Sequence, residues 1–293
     1  MCTDHDHQGW IPDLAMTRRR FVAALGTVAA GTLAGPALSA TGNVRPVTAR
    51  EVGIPMAEGE ADGVLFHPDG AGPWPAVLVW TDILGLRPVF REIGQRLAAE
   101  GYTVLVPNPF YRSQRAPVVE GSFDFGNPEQ RKRVFAMRAA MNDTDIDADA
   151  RAYLRFLDAQ PQTDRSRPAG VQGYCMGGPL SFRTAAALPE RISAVASFHG
   201  GGLVTPEETS PHRLIPATRA EFLVAVARND DAREPLAKDE LAAAFAAAGR
   251  KASVEVYPAN HGWCVFGSAS YQEAEAERAW AALLDLYARN LKA

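Results

Sequence analysis

The stretch "GVQGYCMGGPLSF", residues 170–182, carries a strand, a turn and a helix start in one short run. "PAGVQG" (168–173) is read as a strand in the strand–helix alternation. Gly173-Tyr174-Cys175-Met176-Gly177 follows as a G-x-C-x-G turn, and a helix is expected over 177–188. Strand, sharp turn and helix N-terminus around one nucleophilic side chain define the nucleophile-elbow arrangement. The glycines fit such a turn because its central residue is held in a strained conformation and flanking side chains would collide. A sulfur at a helix N-terminus also gains thiolate character from the helix dipole. The bland alternative is a small thiol packed between glycines. What decides between them is whether a carboxylate and a histidine arrive at the right points later in the chain.

Working outward, the chain alternates strand and helix signals from residue 48, which predicts an α/β fold with a mostly parallel central sheet and helices on both faces. "AVLVW" (76–80), "TVLVP" (103–107), "ISAVASFH" (192–199), "AEFLVAVA" (220–227) and "ASVEVY" (252–257) read as further strands. Helices are expected over 89–101, 128–142, 146–160, 235–248 and 270–290. Segments near 48–53 and 61–67 read as an antiparallel edge.

Ligands of an open α/β sheet bind at the carboxyl ends of its strands, so the chemistry is sought in the following loops. After "AEFLVAVA" comes "RNDDAREP", and after "ASVEVY" comes "PANHGWC". They supply Asp230 or Asp231 and then His261, giving the chain order nucleophile, acid, histidine expected for this sheet. A lone G-x-C-x-G is weak evidence. Its combination with an acid and a histidine after later strands is specific.

Together, "VLVWTDILGLRPVFREIGQRLAAEGYTVLVPNPFYR", "GYCMGG", the aspartate after "VAVARN" and "YPANHGW" resemble the dienelactone hydrolase family of α/β-hydrolases, whose nucleophile is a cysteine. The resemblance runs from about residue 50 to the C-terminus. It implies Cys175 as nucleophile, His261 as base and Asp230 as acid partner, because Asp230 ends the family's small-x-x-Asp pattern. It implies oxyanion donors at the backbone amides of Ile83 and Met176. Where the family usually has a glutamate that interacts with the resting thiol, this chain has Asp82, a shorter carboxylate. In dienelactone-cleaving members one arginine in the segment matching "PFYR" and another just past the histidine hold the substrate's carboxylate. Arg112 fits the first; "HGWCVF" (261–266) has no arginine for the second. The implied activity is therefore cleavage of a small ester or lactone through a thioester, with at most a weak requirement for a substrate carboxylate.

Other candidates are weighed beside these. His199, at the end of a strand in "SFHGGGL", is a candidate thiol or substrate contact, though a hydrogen-bonding structural role is the commoner one. His212 lies in a loop expected to cover the site, His67 on the antiparallel edge, and Cys264 beneath the histidine loop. No His/Cys/Asp cluster has metal-ligand spacing, and no G-x-G-x-x-G or P-loop appears, so neither metal nor cofactor is expected. Two rival classes remain. A non-catalytic α/β-hydrolase scaffold would tolerate loss of the triad, and a thiol redox protein would need Cys264 as its resolving cysteine.

Length and charge agree with one domain. The 293 residues, 47% of them hydrophobic and 22% charged, suffice for one large core. A net charge of −4 offers no basic excess to attract nucleic acid. Arg131, Lys132 and Arg133 read as a solvated helix face. At the N-terminus, "TRRRFVAALGTVAAGTLAGPALSA" (17–40) resembles a twin-arginine export signal. Its apolar run is too short and too Gly/Ala-rich for a stable membrane anchor. The expected organisation is an N-terminal extension over 1–40 and a hydrolase domain over 41–293. The expected partner is the twin-arginine machinery and the expected location periplasmic, or cytoplasmic if the signal is not functional. Met1 and Met16 are both candidate starts, and His5 and His7 precede the signal.

Overall fold

The computed structural model describes residues 45–292 and the backbone of Trp10–Ile11. The export-signal region, His5 and His7 lie outside the described residues. Eight strands form one sheet: β1 (Val47–Pro55), β2 (Glu60–Pro68), β3 (Ala76–Trp80), β4 (Thr103–Pro107), β5 (Ala169–Tyr174), β6 (Ile192–Phe198), β7 (Glu221–Ala227) and β8 (Ala252–Tyr257). Their spatial order is β1-β2-β4-β3-β5-β6-β7-β8. The β1–β2 hairpin and the β2–β4 pairing are antiparallel; every other pairing is parallel. The backbone of Trp10–Ile11 pairs antiparallel with Phe123–Asp124 outside this sheet.

Helices cover both faces, which is why the parallel strands read as continuous apolar runs: every residue of β3, β4 and β5 is buried. On one face, α1 (Pro88–Ala99) and α8 (Glu273–Leu291) pack Phe90, Leu97, Trp280 and Leu283 against Val77, Val79 and Val104. On the other, α3 (Asp143–Asp158), α4 (Gly177–Ala187) and α7 (Ala237–Ala247) pack Leu154, Phe182 and Phe245 against Leu78, Val171 and Phe222. Each fully buried side chain of this size stabilises the fold by roughly 1.5–3 kcal/mol, so the two layers fix the sheet firmly. Gln172, polar and inside the sheet, is accommodated because its side chain donates to Tyr174 Oη at 2.8 Å and accepts from Tyr287 Oη at 3.0 Å.

Between β4 and α3 the chain makes an excursion that carries α2 (Pro128–Ala139). Phe110, Val118 and Met137 of this excursion pack with Ile83, Leu84 and Met176 in a third apolar cluster. The excursion is thus seated on the two residues proposed from sequence as oxyanion donors. Element boundaries match the sequence expectations to within a few residues, with two corrections. The loop read around His212 contains a short helix, α5 (Pro211–Leu214). The "RNDDAREP" segment read as a loop begins with a short helix, α6 (Arg228–Arg233).

Candidate active site

The turn after β5 has the geometry its glycines imply. Cys175 has φ 53, inside the left-handed region that costs a residue with a Cβ about 1–3 kcal/mol. Two hydrogen bonds hold it there: its amide donates to Phe198 O at 3.0 Å, and its carbonyl accepts from Gly178 N at 3.0 Å. A Cβ at Gly173 would lie 1.8 Å from Gly177 O, and one at Gly177 would lie 2.6 Å from Trp80 O. Both glycines are therefore obligatory, and the second lets the start of α4 rest on the end of β3. A nucleophile elbow of this kind ordinarily presents its side chain at the top of the sheet. Cys175 is instead buried, at 5% exposure, beneath neighbouring chain.

His261 follows β8 and Asp230 lies in α6 after β7, so two adjacent strands deliver them to one end of the sheet. His261 Nδ1 lies 2.7 Å from Asp230 Oδ2, and Arg233 donates to Asp230 Oδ1 at 2.7 Å. The His261 amide donates to Asn229 Oδ1 at 2.8 Å, fixing the histidine loop onto α6. Burial alone would raise the Asp230 carboxyl. The hydrogen bond and charge of His261, helped by Arg233, outweigh it and hold the carboxyl below its ordinary range. The Asp230/Asp231 ambiguity is resolved by contact: Asp231 pairs with Lys238 at 2.7 Å.

His199 immediately follows β6, with φ 40, and among the described residues it and Cys175 are the two non-glycine residues at positive φ. Its amide is anchored on Ala225 O at 2.8 Å and its side chain is buried. The imidazole lies 4.6 Å from the His261 ring and 5.2 Å, edge-on, from the Trp263 indole, measured between centroids. The elbow cysteine is bonded to residue 198 and His261 packs on residue 199. The end of β6 therefore brings the two halves of the candidate site together.

The remaining sequence candidates fall elsewhere. Asp82 is buried and bound by Arg87 through both carboxylate oxygens, at 2.5 and 2.7 Å. The carboxylate read as a thiol contact is thus held in an ion pair with Arg87. Arg112 is committed as well. Its two terminal nitrogens donate to Asp149 at 2.6 and 3.0 Å, its Nε reaches Glu58 at 3.3 Å, and Tyr111 Oη donates to Asp149 at 2.9 Å. The Arg112 side chain lines a small cavity with Phe110, Ser113, Met137 and Met141. The substrate-carboxylate role implied for Arg112 is thus met by an internal carboxylate, Asp149. Ile83 and Met176 are buried on the two backbone segments that touch at Gly177. His212 Nδ1 bonds Ser210 Oγ at 2.7 Å, and His67 Nδ1 bonds Pro68 O at 2.9 Å; both are structural contacts. Cys264 is half-buried against the α1/α8 face, and burial, with the Asp82 carboxylate nearby, pushes its thiol up.

Arg87, Asp149 and Arg233 were missed by sequence reasoning. Arg233 had a usable signal, three residues after Asp230 on one helix turn. Arg87 immediately precedes Pro88, the first residue of α1, and follows an acidic residue within one turn's reach. Asp149 had none, because its partner Arg112 lies in the turn after β4, 37 residues earlier.

Comparison with known proteins agrees with this architecture. Residues 61–291 match the family described as "Dienelactone hydrolase family". A Synechocystis sp. relative named "Putative carboxymethylenebutenolidase" is 27% identical over 82% of this chain and 96% of its own length. The "Carboxymethylenebutenolidase" of Pseudomonas sp. (strain P51) is 35% identical over 39% of this chain and 46% of its own length. Among solved structures, the "Putative Dienelactone Hydrolase" of Klebsiella pneumoniae subsp. pneumoniae superposes with a TM-score of 0.72 at 24% identity. It covers 83% of this chain and 99% of its own, which shows that the fold is shared.

Proposed function

Because the chain belongs to the dienelactone hydrolase family, a family of hydrolases, we propose that it cleaves small esters or lactones through Cys175, His261 and Asp230. The observation that carries this reading is the left-handed Cys175 on a glycine-walled elbow, at the same end of the sheet as a histidine already oriented by a carboxylate at 2.7 Å. Backbone strain of this kind persists only where the surroundings over-determine it, and it clusters at sites of chemistry.

In the proposed reaction, the Nδ1 bond to Asp230 fixes the His261 ring and leaves Nε2 to exchange a proton with the thiol. The Cys175 thiolate adds to the carbonyl carbon, and the developing oxyanion is received by the amides of Ile83 and Met176. That addition forms the C–S bond; collapse of the adduct re-forms the carbonyl and breaks the C–O bond, leaving a thioester, with His261 giving its proton to the departing alcohol. Water then adds to the thioester as His261 takes its proton, releasing the acid and regenerating the thiolate. A thiolate leaves readily, so esters and lactones suit this site better than amides.

The substrate is proposed to be uncharged at its acyl end. Arg87 and Arg112, the arginines nearest the ends of β3 and β4, are each bound through both terminal nitrogens by an internal carboxylate. A substrate carboxylate would have to displace Asp82 or Asp149 to reach them. A panel of neutral p-nitrophenyl esters, neutral lactones and dienelactone tests this directly. Turnover of the neutral compounds is expected; exclusive turnover of dienelactone, lost on Arg112→Ala, would overturn it.

Export by the twin-arginine route is a second proposal, supported by Arg18, Arg19 and the weakly apolar run after them. Changing both arginines to lysine is expected to retain the protein in the cytoplasm. An unchanged level outside it would remove this reading.

A further inference from the structure

We propose that Asp82 and Arg87 form a buried brace whose task is to aim the Ile83 amide at the reacting carbonyl. They are positioning residues for the oxyanion site. The inference rests on the reading of Cys175 as nucleophile and Ile83 as oxyanion donor.

The turn from Thr81 to Arg87 joins the end of β3 to α1 and is closed on itself. Asp82 Oδ1 accepts from Leu84 N at 3.0 Å and from Arg87 Nη1 at 2.5 Å; Oδ2 accepts from Arg87 Nη2 at 2.7 Å. Arg87 Nη1 also reaches Gly85 O at 3.3 Å, and Gly85 N donates to Asp82 O at 3.0 Å. The last bond matters most. The Asp82 carbonyl and the Ile83 N–H belong to one planar peptide unit and point in opposite directions. Anchoring the carbonyl on Gly85 therefore sets the direction of the Ile83 N–H. The Asp82 carboxylate and Arg87 guanidinium tie together both ends of the turn that makes this anchor.

The brace is rigid for reasons visible around it. Arg87 is 4% exposed and Asp82 9%, so water does not compete for the pair. The Arg87 guanidinium lies 5.0 Å from the centre of the Phe90 ring, and its backbone starts α1, with Pro88 in the first helical position. Gly85, at φ 71, cannot be replaced without strain, and a Cβ there would lie 2.8 Å from Val118 of the excursion. On the other side, Trp80 and Thr81 carry the turn directly against Gly177 of the elbow. A loosened turn would change the spacing between the two amides, whereas the thiol and its histidine sit on other strands.

This separation gives the test. Alkylation of Cys175 by iodoacetamide needs a thiolate and no oxyanion donor; hydrolysis of p-nitrophenyl acetate needs both. In Arg87→Gln, kcat for the ester is expected to fall about 10²-fold, the scale of a displaced catalytic group, with KM within about threefold. The alkylation rate and its pH profile should stay at wild-type values. Because removing one partner strands a buried charge, the double variant Asp82→Asn/Arg87→Gln, which strands none, is measured beside it. It should show the same loss of kcat with the same unchanged alkylation. Arg87→Lys should recover only part of kcat, since an ammonium cannot span both carboxylate oxygens. Alkylation profiles that shift together with kcat would mean that the pair acts on the thiol, and unchanged kcat in the double variant would mean that it aims nothing; either overturns the brace. Cys175→Ala distinguishes the underlying reading. Wild-type hydrolysis in that variant removes the nucleophile and the brace together, whereas its loss alongside either adverse result removes the brace alone.

Discussion

His261 Nδ1 and Asp230 Oδ2 lie 2.7 Å apart, although the two residues come from different strands and different loops. The contact is kept by neighbours on both sides: Arg233 holds the other carboxylate oxygen, and Asn229 holds the histidine's amide. Asp230→Asn retains the shape but offers an amide that can favour the wrong tautomer. Hydrolysis is expected to drop by about 10²–10⁴-fold in kcat with little change in KM, in steady-state kinetics on a neutral ester.

The same contact makes stability depend on acid. The folded-state Asp230 carboxyl lies below its ordinary value of 3.8, so it contributes stability that is fully present above that value and is lost as pH falls through the folded-state value. Thermal midpoints of wild type and Asp230→Asn should differ at neutral pH, and the difference should shrink as pH drops below about 4. A difference constant down to strong acid would contradict the pairing.

His199 is expected to matter through His261. Its ring packs on that of His261 at 4.6 Å, so on the proposed mechanism His199→Asn, which tolerates positive φ, should lower kcat about tenfold to a hundredfold by freeing the ring, in line with small misplacements of catalytic groups. His199→Gly, which removes both ring and strain, should be at least as impaired while its thermal midpoint falls less than a cavity alone would cause. A kcat equal to wild type in both would reduce His199 to packing.

Arg112→Ala should be mainly a stability variant. It leaves the nearly buried Asp149 carboxylate without its bidentate partner, a loss of about 1–3 kcal/mol, readable in urea unfolding. Its kcat/KM on neutral esters should remain within about threefold of wild type, because the guanidinium already belongs to Asp149. A large loss of activity without loss of stability would return Arg112 to the substrate.

Much of this was legible in the chain. The strand-helix alternation predicted the sheet because buried parallel strands are apolar throughout, and Gly173 and Gly177 marked the elbow because contacts of 1.8 and 2.6 Å leave no room for a Cβ. His261 was readable from strand order, which left Asp230 and Asp231 open until the family pattern favoured Asp230. The fates of Asp82 and Arg112 were not. Each has the residue type the chemistry would use, and each is claimed by a partner that only folding brings near enough: Arg87 across a tight turn, Asp149 from the helix before β5. Sequence patterns report which charges are present; they do not report which are already neutralised.

The central claim is that Cys175 carries the acyl group. The most direct measurement is peptide mapping by mass spectrometry during turnover of a slow ester, in wild type and in Cys175→Ala. The account predicts an acyl adduct on the peptide containing Cys175, its disappearance as hydrolysis completes, and neither adduct nor hydrolysis in Cys175→Ala. Undiminished hydrolysis in Cys175→Ala, with the adduct on another residue or on none, would contradict it.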